Sequence, residues 1–514
     1  MTNTETGEQT YFGHPKALYI LFFTEMWERF SFYGMKALLI FYLTKYHLFS
    51  DQSGNLLIGS YAALVYAVPV IGGFIADKYL GFRKAIVFGG IMLVLGHLGM
   101  AYEGNAATQS ITGEITRDNL ALQIFYFSLS LIIVGVGFLK ANISSLVGEL
   151  YSVGDKRRDS GFTIFYMGIN LGSFLATLIC VWLGETYGWS YGFGAAGVGM
   201  FFGLITFISG KKLLMGNGES PNPLFLEQKT VGIKNEYIIY FVSILSSLLF
   251  WQMVQNHEAV SLSLQLAGGV SFLYIVYYAA TKLDGKARQQ LIALTILIVF
   301  TIVFWALFEQ AYTSMNLFAD RILDRTIFGY EVSAGQFLSF NALFIILLAP
   351  VFAWIWPSLG KYNPNTAVKF ALALALVGLG FGALVMGINV SGAGKVAAIW
   401  LVLAYFLHTC GELSLSPVGL SAVTKLSPVK IVGFMMGVWF LATASSEFIA
   451  SVLANIASVD TSNGLAPDLN VAKQSYLKLF EYLFYTGLAF GALLLLISPI
   501  IKKLMHGVDK ELNN

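Results

Sequence analysis

Fourteen apolar stretches, each long enough to cross a lipid bilayer, constrain this chain more than any other feature of its sequence. A helix of about 20 residues spans the hydrocarbon core of a bilayer. Backbone N–H and C=O groups must find partners within the chain at that depth, so helices are the expected spanning structures. The stretches lie at residues 17–45, 56–76, 85–104, 121–148, 161–183, 190–209, 235–255, 259–281, 289–317, 333–356, 368–388, 396–424, 430–453 and 475–501. The sequence therefore predicts an all-α integral membrane protein.

Composition and charge exclude two other classes of protein. The chain is 56% hydrophobic and only 12% charged, which is not the composition of a soluble globular domain. Its 31 basic and 29 acidic residues give a formal charge of +2, so we expect no nucleic-acid partner. Cys180 and Cys410 lie within apolar stretches, where a cysteine is typically a small buried hydrophobe. No metal site and no cofactor are predicted.

Basic residues cluster in alternate loops, which predicts the orientation of the chain. Loops rich in lysine and arginine stay in the cytoplasm. These clusters are Lys78, Arg83 and Lys84; Lys156, Arg157 and Arg158; Lys211 and Lys212; Lys282, Lys286 and Arg288; Lys425 and Lys430; and Lys502 and Lys503. Both termini are then expected in the cytoplasm. We expect the membrane to be the plasma (inner) membrane. Residues 2–13 lack the features of a cleavable signal peptide, so we expect the first helix to direct insertion.

The spacing of the stretches predicts two halves and an insertion. The expected segments are a cytoplasmic N-terminal segment 1–16, a six-helix bundle 17–209, a cytoplasmic linker 210–234, an inserted helix pair 235–281, a second six-helix bundle 289–502 and a cytoplasmic tail 503–514. Two six-helix halves joined by a cytoplasmic linker resemble the major facilitator fold, whose halves rock about a central site. The total is 14 transmembrane helices.

The first stretch carries ionisable residues along one helix face. Spacings of three, four and eleven residues from Glu25 bring Glu28, Arg29 and Lys36 to the same side, together with Tyr33. Ionisable residues inside membrane spans usually mark substrate paths, ion paths or proton relays. A static buried ion triad that fixes helix packing is the alternative. A carboxylate that gains and loses a proton is needed for proton coupling, and Glu25, Glu28 and Glu309 are the candidates.

Six long motifs are distributed along the chain. They are the first-helix run from Glu25 to Gly34, the loop from Gly72 to Lys84, the run from Phe138 to Asn142, the run from Phe162 to Phe174, the run from Trp305 to Gln310 and the run from Gly411 to Pro417. These motifs resemble the proton-dependent oligopeptide transporter (POT) family, in its bacterial type, and the resemblance covers nearly the whole chain. The chain departs from the family pattern at Phe32, Lys36 and Ala342, where many members have tyrosine, arginine and proline.

The resemblance implies a transporter rather than an enzyme, a proton-coupled symporter that imports di- and tripeptides by alternating access. It implies that Glu25, Glu28, Arg29, Lys140 and Glu309 take part in proton coupling. It also implies that Glu412 and Asn341 meet the peptide amino terminus, while Lys36, Asn170 and Lys140 meet its carboxylate. The remaining residues expected at the peptide site are Tyr33, Tyr66, Asn142, Trp305, Ser416 and Trp439. Protons serve as the coupling ion.

Depth along the helices suggests two pairs of opposite charge. Lys36 and Glu309 each lie about 21 residues, roughly 30 Å, from the cytoplasmic end of their helix. Lys140 and Glu412 lie roughly 20 to 24 Å from theirs. The hypothesis is that the first pair closes the outer side of the transporter and the second pair closes the inner side.

Two other functions stay open at this point. A relative that carries nitrate or another small anion would share the fold, and a passive pore would share the membrane spans. The absence of a Gly-x4-Gly-Lys-Ser/Thr loop argues against ATP-driven transport. The sequence predicts no oligomeric state.

Overall fold

The computed structural model describes residues 10–152, 154–327, 329–459 and 468–508, and these residues form an almost wholly helical protein. Within them, thirteen helical segments are long and apolar enough to cross a membrane. The helix that contains the charged stripe, Lys16–Phe41, is 26 residues long but is not one of those thirteen segments, because charged residues lie in the middle of its apolar stretch. The all-α membrane architecture predicted from the sequence is therefore confirmed. The predicted segments 1–16 and 503–514 lie partly outside the described residues, at 1–9 and 509–514.

The helices of the N-terminal part of the chain follow the apolar stretches closely. They are α1 (Lys16–Phe41), α2 (Asp51–Ala67), α3 (Pro69–Ile75), α4 (Phe82–Met100), α5 (Asn119–Glu149), α6 (Arg158–Tyr187), α7 (Trp189–Gly210), the short α8 (Pro223–Glu227) and α9 (Asn235–Gln255). Short π-helical segments follow α1 at Tyr42–Tyr46 and α3 at Ala76–Leu80, and a 3₁₀ turn follows α7 at Lys211–Leu214.

The C-terminal part continues in the same way. Its helices are α10 (His257–Thr281), α11 (Gly285–Phe308), α12 (Ser314–Arg321), α13 (Ser339–Ser358), α14 (Thr366–Val390), α15 (Ala398–Leu426), α16 (Val432–Ala454) and α17 (Leu469–Leu504). The 3₁₀ segments are Glu309–Tyr312, Ala334–Leu338, Gly360–Tyr362, Val429–Ile431 and Asn455–Ala457.

Two-residue strands form small pairs in the connections. Four pairs are antiparallel: Thr10–Tyr11 with His14–Pro15, Thr108–Gln109 with Ile115–Thr116, Lys229–Thr230 with Ile233–Lys234, and Thr326–Ile327 with Tyr330–Glu331. The fifth pair, Leu323–Asp324 with Val396–Ala397, is parallel. These pairs order loops and leave the helices as the framework of the fold.

Two predicted spans are interrupted in the structure. Pro69, which has no N–H to donate, follows the end of α2 and begins α3. The span predicted over residues 289–317 is not one continuous helix, because α11 ends at Phe308 and Thr313 leaves helical geometry at φ −123° and ψ −96°. The Gln310 side chain donates a hydrogen bond of 2.8 Å to the Ala450 carbonyl of α16 and accepts one of 2.6 Å from Ser314. These side-chain bonds fix the chain at the break.

Contacts divide the described chain into two compact units. The first contains the described residues up to Tyr42 and Leu64–Asn256, and the second contains Leu43–Ala63 and the described residues from His257 onward. The first boundary therefore falls after Tyr42, just beyond α1, and the second falls inside α2. The third falls in the turn between α9 and α10, so that the inserted pair contributes one helix to each unit.

Close helix packing in the first unit depends on Gly72 of α3. A Cβ atom at this position would overlap the Gly137 carbonyl of α5. A Cβ atom at the neighbouring Gly73 would lie 3.7 Å from the Ala141 side chain, an ordinary contact. The two adjacent glycines therefore differ in how much space they leave, although both belong to the same sequence motif.

The variant Gly72→Ala is expected to lower the free energy of unfolding by about 1–3 kcal/mol, because an inserted methyl group must displace the α5 backbone. Gly73→Ala is the matched control and is expected to change stability little. Thermal unfolding midpoints of the purified variants in detergent measure the difference. Equal midpoints for the two variants would contradict this account of α3 packing.

Candidate functional site

The charged stripe of α1 forms a buried ion cluster in the first unit. Arg29 Nε donates a hydrogen bond of 2.7 Å to Glu25 Oε1 and lies 2.9 Å from Glu28 Oε2. The side chains of Glu25, Glu28 and Arg29 are 1%, 0% and 4% exposed. One buried cation thus lies between two buried carboxylates.

The two carboxylates of the cluster differ in their hydrogen bonding. Glu25 Oε1 accepts the hydrogen bond from Arg29, whereas neither oxygen of Glu28 has a hydrogen-bond partner among the described residues. Glu28 is held by charge attraction alone. Transfer of a carboxylate from water to the protein interior costs more free energy when the carboxylate accepts no hydrogen bonds there than when it accepts them. Glu28 is therefore the carboxylate of this cluster that gains most from neutralisation.

Packing between α1 and α6 places the cluster. Gly172 of α6 lies against the Met26 carbonyl of α1, and a Cβ atom built at Gly172 would be 3.1 Å from Arg29 Cβ. Only glycine allows the two helix backbones to approach this closely beside the charges. The glycine-containing run from Phe162 to Phe174 thus has a direct structural role next to the ion cluster.

Lys140 of α5 lies against aromatic rings. Its Nζ is 3.8 Å from the centre of the Tyr66 ring and 5.9 Å from the centre of the Phe32 ring. These contacts stabilise the cation through the electron-rich ring faces. No carboxylate of a described residue forms an ion pair with Lys140, so the ammonium is available to an anionic group that enters the site.

The other predicted residues of the first unit lie along the same helices. Lys36 is 1% exposed on α1, two turns beyond Arg29, and Tyr33 is half-buried with its ring 5.3 Å from that of Phe32. Asn142 and Asn170 are buried, and each side-chain amide donates to the carbonyl four residues earlier in its own helix, at 2.7 Å and 3.0 Å. The NH₂ groups of these two asparagines therefore already have backbone partners.

A second polar cluster lies in the second unit. Asn341 of α13 donates hydrogen bonds of 3.1 Å to Glu412 Oε2 and 3.0 Å to Thr409 Oγ1, both on α15. Thr409 in turn donates to the Tyr405 carbonyl at 2.7 Å. Glu412 is 9% exposed, so its carboxylate is largely removed from solvent. The structure thus brings together Glu412 and Asn341, the two residues that the resemblance assigns to the peptide amino terminus.

A small cavity lies beside Asn341. Its volume is about 20 Å³, and it is lined by Phe308, Ala311, Tyr312, Leu338, Asn341, Tyr405 and His408. This volume suits a single water molecule. His408 uses its Nε2 atom to bond the Val377 carbonyl at 3.1 Å, so its ring is fixed on α15.

The remaining predicted residues of the second unit lie on α11, α15 and α16 or at the end of α11. Trp305 contacts Phe304 and Phe308 edge-on, each at 5.2 Å between ring centres, and Glu309 follows at the end of α11. Trp439 of α16 is 7% exposed and lies against Gly419 of α15. Ser416 is half-buried immediately before Pro417, within α15.

Sequence reasoning missed several buried ionisable residues of the long helices. Glu447, Lys369 and Lys473 are 4%, 2% and 5% exposed. The same rule that singled out α1, a charge inside an apolar stretch, would have found Glu447 and Lys369. Lys473 precedes the stretch predicted at 475–501, so the rule would not have found it. It also missed Thr409, whose hydroxyl accepts from Asn341 and which gave no signal in the sequence.

Comparison with known proteins decides the family. The model of the POT family matches residues 83–472, which is most of the chain. The protein is a member of the POT family. Membership makes this POT-family protein a multi-pass membrane transporter rather than an enzyme, as the sequence predicts.

Relatives of this POT-family protein are similar over nearly their whole length. The "Peptide transporter YePEPT" of Yersinia enterocolitica is 37% identical, covering 89% of the chain and 91% of the relative. The "Di-/tripeptide transporter" of Lactococcus lactis subsp. lactis is 34% identical, covering 99% of the chain and 100% of the relative. A solved structure of the "peptide transporter POT in complex with sulfate" is 36% identical with a TM-score of 0.79, covering 97% of both chains. The major-facilitator-like fold is therefore confirmed.

Proposed function

We propose that this protein is a proton-coupled symporter that imports di- and tripeptides through the plasma membrane by alternating access, with both termini in the cytoplasm. The observation that carries the proposal is the buried cluster of Glu25, Glu28 and Arg29, since charge buried at this depth is typical of ion and substrate pathways. The names of the two relatives support peptides as the substrate.

The proton step is assigned to the α1 cluster. Protonation of Glu28 removes one of two buried negative charges and leaves the hydrogen-bonded Arg29 and Glu25 pair intact. The local charge then becomes more positive. A peptide carboxylate is attracted to the nearby Lys140 more strongly in that state, which couples proton binding to substrate binding. We propose that Arg29 and Glu309 also take part in proton coupling.

The substrate step is assigned to residues that differ in charge. Glu412, oriented by Asn341, is proposed to bind the amino terminus of the peptide. Lys36, Lys140 and Asn170 are proposed to bind its carboxylate. Aromatic faces tolerate side chains of many shapes. The residues proposed to line the side-chain pockets or to contact the peptide backbone are Tyr33, Tyr66, Asn142, Trp305, Ser416 and Trp439.

The predicted ion pairs Lys36 with Glu309 and Lys140 with Glu412 are proposed as alternating gates. Exchanging the charges tests them: Lys140→Glu with Glu412→Lys is expected to recover the cross-linking pattern that either single variant loses. The same design applies to Lys36 and Glu309. Double variants that never regain transport or a cross-linking pattern would exclude the gates.

Uptake by proteoliposomes tests the proposed function. A labelled dipeptide is expected to accumulate above its external concentration when an inward proton gradient is applied. Accumulation is expected to fail in Glu25→Gln and in Lys140→Ala, and the same vesicles should not accumulate a free amino acid. Dissipating the gradient with a protonophore should remove accumulation from the unaltered protein.

The same assay separates the rival functions. A transporter of nitrate or another small anion would accumulate nitrate and ignore the dipeptide. A passive pore would equilibrate the dipeptide without concentrating it. Either result would overturn the proposal, and the second would remove proton coupling specifically.

Glu412→Gln is expected to raise the KM for a dipeptide by about tenfold to hundredfold, because it removes a charge-assisted hydrogen bond worth about 1.5–3 kcal/mol. The amide keeps the size of the side chain and an oxygen that Asn341 can donate to. An N-acetylated dipeptide, which has no ammonium, serves as the control and should compete equally with both proteins. Equal losses for the free and acetylated peptides would contradict the proposed contact with the amino terminus.

A further inference from the structure

A cavity of about 380 Å³ lies in the first unit, and none of the residues that line it belongs to the proposed transport site. It is lined by Arg83, Ile208, Ser209, Lys211, Lys212, Met215 and Gly216. Three of these residues are cations, and none is a carboxylate. The cavity lies where α7 ends at Gly210 and the 3₁₀ turn Lys211–Leu214 begins, beside the first turn of α4.

Hydrogen bonds hold the walls of this cavity in place. The Arg83 backbone N–H donates to the Gly218 carbonyl at 2.9 Å, and the Gly218 N–H donates to Glu149 Oε2 at 2.7 Å. Ser220 Oγ donates to the Tyr79 carbonyl at 2.5 Å, and Leu214 is completely buried. The segment after α7 is thus attached to the starts and ends of neighbouring helices. The cavity is a built feature of the fold.

The guanidinium of Arg83 is incompletely paired. The residue is only 7% exposed, and its Nη1 donates to Glu219 Oε1 at 2.5 Å. Its Nε and Nη2 are buried and have no hydrogen-bond partner among the described residues. Arg83 lines the cavity together with Lys211 and Lys212, so three positive charges surround the same space. These charges attract an anion, and phosphate is an anion that arginine and lysine side chains commonly bind.

Apolar side chains complete the lining. Ile208 and Met215 line the cavity and are 50% and 56% exposed. Lys211 and Lys212 are exposed beside them, at the end of a span that covers Trp189–Leu214. A ligand that presents a phosphate to the cations and an apolar part to Ile208 and Met215 satisfies both kinds of surface. Basic pockets at the cytoplasmic ends of membrane helices bind anionic lipid head groups for this reason.

We propose that this cavity is a phosphate-binding site, and that the phosphate is carried by an anionic phospholipid of the leaflet in which the basic loops lie. The site is separate from the peptide and proton residues, so the proposal stands independently of the transport function. Arg83 and the two lysines hold the phosphate oxygens. Ile208 and Met215 contact the glycerol and the upper part of an acyl chain.

Lipid binding to the full-length purified protein tests the proposal. Native mass spectrometry in detergent compares phosphatidylglycerol with phosphatidylcholine of the same chain length. The unaltered protein is expected to retain phosphatidylglycerol at least several-fold more than phosphatidylcholine. The double variant Lys211→Gln/Lys212→Gln is expected to lose most of that preference. Its matched control, Lys282→Gln/Lys286→Gln, removes two exposed lysines from a different basic loop and should keep it.

A second arm identifies the source of the phosphate. Inorganic phosphate is titrated against the thermal unfolding midpoint of the delipidated protein, with chloride at equal ionic strength as the reference. A midpoint that rises with phosphate only when Lys211 and Lys212 are present, without a preference for phosphatidylglycerol, would support the phosphate site and assign its ligand to solution. Because Lys211 and Lys212 are exposed, the variant is expected to fold. Equal lipid retention by the two double variants, together with no effect of phosphate, would overturn the proposal.

Discussion

Glu28→Gln is expected to abolish proton-driven accumulation of dipeptide while leaving peptide exchange intact. The amide has nearly the shape of a protonated carboxylic acid but cannot release a proton. The transporter would then be fixed in its protonated state, able to move loaded with peptide but unable to return by proton release. Accumulation in proteoliposomes should fall to the level of vesicles without protein, whereas exchange of internal for external peptide should continue.

The structure gives a reason why this variant keeps its fold. Arg29 retains its 2.7 Å hydrogen bond to Glu25, so no buried cation is left without a partner. Neither Glu28 oxygen has a hydrogen-bond partner among the described residues, so no such bond is lost with the carboxylate. The same substitution at Glu481, an exposed position on α17, is the matched control and should leave accumulation unchanged.

Two outcomes would contradict this assignment to Glu28. Accumulation that persists in Glu28→Gln would show that another carboxylate carries the proton. Loss of exchange together with accumulation would show that Glu28 has a structural role instead of a coupling role. In either case Glu25 and Glu309 become the next carboxylates to test in the same assay.

Arg321→Met is expected to lower the free energy of unfolding by about 3–5 kcal/mol, because it leaves a buried carboxylate without its cation. Arg321 Nη1 and Nη2 bind Asp51 Oδ2 and Oδ1 at 2.6 Å and 2.7 Å, and Asp51 is only 1% exposed. The Val459 N–H also donates to Asp51 at 3.1 Å. This bidentate ion pair and the hydrogen bond from Val459 together join three segments of the second unit.

Chemical or thermal unfolding in detergent measures the effect. Lys45→Met is the control, since the Lys45 pair with Asp320 has a 41% exposed lysine and is expected to contribute less than about 1 kcal/mol. Removing both partners in Asp51→Leu/Arg321→Met should cost less than removing Arg321 alone, because no charge then stays buried without a partner. Equal stability of Arg321→Met and Lys45→Met would show that the buried pair contributes no more than a surface pair.

Apolar length predicted the helices of this protein well and their interruptions poorly. The span predicted at 235–255 coincides with α9, since both of its ends are marked by polar residues. The span predicted to begin at residue 56 begins at Asp51, because a polar first turn is invisible to hydropathy. The break at Thr313 was not foreseen, since it depends on side-chain bonds from Gln310 to a helix 140 residues away.

Helical spacing likewise predicted part of the candidate site. It correctly placed Glu25, Glu28 and Arg29 on one face, because residues three and four positions apart are neighbours on any α-helix. It could not distinguish the two carboxylates, since their difference is one hydrogen bond. It could not pair Asp51 with Arg321 either, because both were expected in loops and they are 270 residues apart in sequence.

The inserted helices belong to different units, yet they can be gained or lost only as a pair. α9 belongs to the first unit, where Tyr240 stacks on Phe88 and Glu236 pairs with Lys84, and α10 belongs to the second, where Tyr274 packs on Phe434. Each helix is long and apolar enough to cross the bilayer once. A single added or lost helix would turn everything after it upside down in the membrane. Only the gain or loss of both helices together preserves the membrane orientation of the helices that follow them.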